Sequence, residues 1–135
     1  YRPIPRKCTL YYVKNKDQKY TDLLDAFNDA SMGLKLIAQD EAMANEKLDK
    51  ALKIWKAAFA ETDLSSKDAR IDKDVAIALG FNLLEVYFAT KNVTDAFVTL
   101  DAMNKMELSK KEKKRKLSVG KLNPGPCVTG EDTVR

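Results

Sequence analysis

The sequence predicts an all-α domain of antiparallel helical hairpins, and two observations carry that prediction. Apolar residues recur at three- and four-residue steps in four successive segments, the spacing of one helix face. Only one stretch, residues 8 to 13 (CTLYYV), is β-branched and aromatic enough to read as a strand. It could be an edge strand or a pad lying against helices; one strand cannot make a sheet, so without a partner it is an ornament on a helical body. The expected organisation is an extended segment over 1–20, a helical domain over 21–117 and an irregular tail over 118–135.

A chain of 135 residues is one domain's worth and long enough for a proper core. It is 44% apolar and 33% charged, as in an ordinary globule. No apolar run approaches the roughly 18 residues of a membrane span. The opening YRPIPRKCTLYYV lacks the apolar core of a signal peptide. The chain begins on Tyr1 and not on methionine, so a trimmed or mature fragment is expected, already without any address tag or lipid anchor. The net charge of +4 is local: residues 105–116 hold seven Lys/Arg against two Glu, leaving −1 for the rest. Histidine is absent, which removes the commonest general base and metal ligand. Cys8 and Cys127 form one bridge or remain two thiols, a choice spacing does not make.

Pro3 and Pro5 forbid an early helix. The first helix is expected from Thr21 to about Ala38, with Thr21 as cap and Asp22 and Asp25 at the positive dipole end. Its stripe is Leu23, Phe27, Ala30, Leu34 and Ile37, and Gly33 within it reads as a tolerated cost or as close approach of a neighbouring helix. A second helix covers about 42–61, with stripe Leu48, Ala51, Leu52, Trp55, Ala58 and Phe59. Trp55 is expected to pack in the core, a ligand platform being the alternative. The third helix, about 72–90, is apolar on two faces: Val75, Leu79, Leu83, Val86 and Tyr87, then Ile77, Phe81, Leu84 and Phe88. Such a helix is packed on both sides and belongs at the centre. After the turn at TKN, a fourth helix spans about 94–106 with stripe Ala96, Phe97, Leu100 and Met103. Asn92 or Thr94 caps it; the NVT at Asn92 is a glycosylation acceptor only in a eukaryotic secreted protein, and turn capping explains it without that. Ser109 and Glu112 fit a capping box opening a short fifth helix to about Leu117. The remainder, rich in Gly and Pro, is expected to be irregular.

Leu83 and Tyr87, then Ala96 and Leu100, keep the spacing of the two helices of a tetratricopeptide unit, so residues 75–106 resemble one such repeat. Leu84 stands where Gly is usual, Gly80 where a bulky aromatic is usual, and no Pro closes the unit. Ala51, Trp55 and Ala58 resemble the second helix of another copy, with Gly33 in its first. Ala51 and Ala96 lie 45 residues apart against a family period of 34, so extra residues sit between the pairs, most simply at ETDLSSKDARID. The resemblance implies hairpins stacked as a degenerate right-handed array over about 21–106. Two copies are fewer than a stable stack needs; the strand, the last helix or a homodimer would supply the missing burial. KALKIWKAAF and ALGFNLLEVYF also look like the helical portions of cell-envelope proteins of the Bacteroides group, lipoproteins among them, which would imply a periplasmic or surface location.

The leading functional expectation is a non-enzymatic scaffold or adaptor that binds another protein or peptide, with no cofactor. Stacked hairpins present a face built from the first helix of each pair. Here that face would draw on 21–38 and 74–90, with Asn28, Lys35 and above all Asn82 as partner-binding candidates. In tetratricopeptide units that resemble this one, an Asn near the Leu clamps a peptide backbone; the alternative is a polar residue tolerated at a helix surface. A second expectation uses the basic tract, where Lys110, Lys111, Lys113, Lys114, Arg115 and Lys116 could contact phosphates of nucleic acid or an anionic surface. No aromatic interleaves with these lysines to stack on bases, and a solvated, fraying helix end is the favoured reading of them. Catalysis has least support: Asp22, Asp25, Asp29, Asp72 and Asp74 sit at helix starts or exposed faces, and no glycine loop or nucleophile elbow is present.

Overall fold

The computed structural model describes residues 7–12, 22–60, 73–105, 108–120 and 129–134, with side chains over 10–11, 23–60, 75–105 and 108–116. In chain order these form β1 (Lys7–Tyr12), α1 (Asp22–Leu36), α2 (Glu41–Ala60), α3 (Lys73–Ala89), α4 (Val93–Asn104), α5 (Lys110–Gly120) and β2 (Thr129–Val134). The body is helical, as expected, and α1–α2 and α3–α4 are adjacent pairs, with α2 also packed on α3. The spacer at 61–72 falls outside the described residues.

The α1–α2 contact is built from small residues at heptad-like steps. Ala26 and Ala30 of α1 and Ala44, Ala51 and Ala58 of α2 are all buried, with Leu48 and Trp55 between the α2 alanines. Missing side-chain volume lets the helices come together, and the two large residues fill what remains. Gly33 belongs to this seam. A Cβ there would lie 2.7 Å from Leu48 Cγ and 3.2 Å from the Ala44 carbonyl oxygen. Close approach is therefore its role. Trp55 is 1% exposed and packs in the core.

The Asp40 carboxylate opens α2 by accepting from the Met43 amide at 3.1 Å. Helix α3 is the centre: every residue from 76 to 89 is buried. Its end shows a Schellman pattern, with the Asn92 amide donating to the Tyr87 carbonyl at 2.7 Å and the Lys91 amide to the Phe88 carbonyl at 3.2 Å. Lys91 takes the left-handed conformation this demands, φ 61°. Asn92 then caps α4, its side chain accepting from the Asp95 amide, so capping explains the NVT site. The Ser109–Glu112 capping box forms as read: the Ser109 amide donates to Glu112 Oε1 at 2.9 Å and the Glu112 amide to Ser109 Oγ at 3.2 Å.

Three expectations need correction. Phe97 does not belong to the buried stripe of α4; it is 56% exposed, and Ala96, Thr99 and Met103 face α3 instead. Thr99 satisfies its hydroxyl by donating to the Asp95 carbonyl at 3.0 Å, which lets it take a place an apolar residue would otherwise hold. Helix α5 continues to Gly120, past Leu117. The tail is not irregular throughout, because Thr129–Val134 forms β2 and pairs in parallel with β1, Lys7 opposite Thr129 through Tyr12 opposite Val134. The N-terminal strand therefore has a partner, and the two make a two-stranded ribbon against the helical body. The composition TGEDTV argues against a strand locally; it becomes one because β1 offers an open edge from the far end of the chain.

Candidate functional site

The ribbon meets the body chiefly through β1 on α3, with α1 touching both strands and α5 also packed on α3. Asn82 lies at the middle of this contact. It is 1% exposed, and its side-chain amide engages both backbone groups of Tyr11. The Tyr11 amide donates to Asn82 Oδ1 at 2.7 Å, and Asn82 Nδ2 donates to the Tyr11 carbonyl at 2.8 Å. The N–H and C=O of one strand residue point the same way, so the amide imitates one rung of a neighbouring strand. Tyr11 is thus closed on one edge by a side chain of α3, while the ribbon's ladder runs on the other.

The Tyr11 ring is gripped as well. It lies 6.3 Å from the Phe81 ring at a tilt of 58°, and the Arg115 guanidinium sits 4.2 Å from its centre and 4.5 Å from that of Phe81. A planar cation covering two ring faces is a cation–π arrangement, worth more the drier it is. Arg115 also pairs with Glu85, Nη2 to Oε1 at 3.8 Å, with side-chain exposures of 20% and 3%. One residue before Tyr11, Leu10 is 2% exposed and joins the main core. Residues 81, 82 and 85 share one face of α3 at helical spacing, so a single face supplies the ring, the backbone clamp and the acid that anchors Arg115.

The sequence-derived candidates are thereby separated. Asn82 clamps a peptide backbone, but the backbone is that of the chain's own β1, and the residue is buried beneath it instead of lining an open surface. Asn28 and Lys35 are exposed on α1, sharing a stripe with Leu24 and Met32, which are 45% and 51% exposed. In the basic tract, Lys110, Lys111, Lys113 and Lys114 are exposed, and Lys116 is part-exposed and reaches the Asn104 side-chain oxygen. Arg115 departs from that group, its guanidinium being turned inward to Glu85 and the two rings. Cys127 lies outside the described residues, as do Asp72 and the side chains of Cys8, Asp22 and Asp74.

Glu85, Phe81 and Tyr11 were not singled out from sequence as site residues. Glu85 carried a usable signal: one carboxylate inside an apolar helix must find a cation or leave the core. Nearby, burial raises the Tyr87 phenol above its ordinary value, against the pull of Lys56, whose ammonium stands 5.7 Å from the ring centre. Among the described residues, no group of three acidic, cysteine or histidine side chains gathers as a metal site, and no helix is long and apolar enough to cross a membrane. Comparison of the chain with protein-family models, with curated proteins and with solved structures returns no match.

Proposed function

We propose that this chain is a non-enzymatic interaction module that takes an extended segment of another polypeptide along the first helices of its two hairpins, α1 and α3. One observation carries the reading: an extended strand already lies there, with its backbone held by the α3 asparagine. Asn82 reads backbone and not side chain, which is how a groove accepts segments of differing sequence. The pairing of α1 with α2 and α3 with α4, and the seating of α2 on α3, support a tetratricopeptide-like stack as the frame. The exposed α1 stripe of Leu24, Asn28, Met32 and Lys35 offers mixed apolar and polar contacts on a helix that also touches both strands. A cell-envelope setting belongs to the same proposal and rests on the resemblance alone.

A display library of extended peptides, selected on the intact chain and mapped by backbone hydrogen exchange, tests this. Protection is expected on α1 and α3. Selected peptides that protect only α5 and dissociate at raised ionic strength would replace the reading with anion binding through Lys110, Lys111, Lys113 and Lys114. An unenriched library would end it.

A further inference from the structure

We propose that β1 is a resident competitor, and that the seat it fills on α3 and α5 accepts from another chain an extended segment in which a large aliphatic residue precedes an aromatic one. This rests on the interaction reading above and names both the class of segment bound and the device that limits access to it.

The seat specifies its occupant closely. Asn82 uses the N–H and the C=O of a single residue, so that residue must be extended and cannot be proline, which has no N–H to give. The ring of that residue sits between Phe81 and Arg115, where an aliphatic side chain would forfeit the cation–π contact. The residue before it must fill the pocket in the core that Leu10 occupies at 2% exposure. These demands are met by geometry alone, independent of chain connectivity, since Tyr11 and Asn82 are 71 residues apart.

The choice of a charge pair for this place argues the same way. In a purely structural core, a buried Arg–Glu pair is commonly no more stabilising than apolar residues of equal volume. Beside an aromatic ring it also discriminates what lies there, because a second π face adds to what Glu85 and Phe81 already give the partly desolvated guanidinium and an aliphatic side chain adds nothing comparable.

The hold on β1 is also limited. Its ladder partner is β2, and a two-stranded ribbon is marginal by itself. Much of what keeps β1 in place is therefore the seat itself, and an arriving strand that offers the same contacts competes on equal chemistry. Tethering gives β1 an effective concentration on the order of millimolar, so a free segment of equal quality binds weakly until β1 is loosened.

The test uses the full chain and a fluorescent, end-blocked peptide of the β1 sequence with serine for cysteine, KSTLYY. On the wild-type chain the peptide is expected to bind weakly and, as it saturates, to abolish the slow hydrogen exchange of the Tyr11 amide. Tyr11→Pro, which removes the N–H given to Asn82, is expected to raise the peptide's affinity at least about tenfold by weakening the tethered competitor. A peptide with proline at the same place should bind neither chain. Circular dichroism checks that the variant keeps its helices; if it does not, Tyr11→Ala replaces it, and the exchange experiment on the wild-type chain decides alone. Equal affinity for both chains, absence of binding to either, or binding that leaves the Tyr11 amide protected overturns the proposal. Selected peptides that lie on α1 and α3, lack an aromatic residue and leave β1 in place would overturn it too, while preserving the broader interaction reading.

Discussion

Lys91 holds a left-handed backbone, φ 61°, at the one position where the α3–α4 turn requires it. A side chain in that conformation is strained because Cβ crowds the following carbonyl, and glycine escapes the strain at some cost in unfolded-state entropy. Lys91→Gly is therefore expected to stabilise the chain by about 0.5–1 kcal/mol, a rise of roughly 2–4 °C in Tm. Thermal melts of the two chains check it, and an unchanged or lowered Tm would show that the strain is already relieved. Tyr87 makes a different residue-scale prediction. Burial favours its neutral phenol, so the folded pKa lies above that of an unfolded tyrosine, about 10. The stability this contributes is complete below that pH and is lost as pH rises through the folded value. Urea denaturation from neutral to strongly alkaline pH should show the wild-type chain falling more steeply than Tyr87→Phe above about pH 10. Parallel curves would mean the phenol is not held neutral by the fold.

At the scale of elements, the Glu85–Arg115 pair is the joint between α3 and α5. Glu85 is 3% exposed in its side chain and Arg115 is 20%, so removing the cation leaves a carboxylate in a dry place. Arg115→Met is expected to destabilise by about 2 kcal/mol, less than a fully buried pair would lose because the guanidinium keeps some water. Glu85→Gln together with Arg115→Met should recover at least half of that loss, since neither uncompensated charge remains. Simple additivity of the two single changes, read by urea denaturation, would show that the pair is not coupled. The same joint explains why a lysine-rich helix stays docked. Among the described side chains of α5, Lys110, Lys111, Lys113 and Lys114 face solvent, whereas Arg115 turns inward, where its flat cation can stack on two rings while pairing with a carboxylate.

For the molecule as a whole, what could be read in advance divides by range. The central place of α3, the burial of Trp55 and the Ser109–Glu112 box were legible because each depends on residues within a few turns or on the apolar count of one helix. The choice between the two readings of Gly33 needed Leu48 and Ala44 of the neighbouring helix. The exposure of Phe97 was not legible, since it depends on which side of α4 meets α3. Nor were the partner of Asn82, the inward turn of Arg115 and the strand at 129–134, all of which depend on contacts between segments far apart in the chain. Periodicity assigns a residue to a face; it does not say which distant segment that face receives. The ribbon has one more consequence, a mechanical one. Its two strands run in the same direction, one close to the start of the chain and the other close to its end. A pull on the two termini draws β1 backward and β2 forward along a contact of six residues, roughly 20 Å. That loads the rungs in shear, so they share the force and must fail together. An antiparallel clasp in the same place would open like a zipper, one rung at a time. A ribbon that a competing strand can peel away sideways is thus braced against tension along its length.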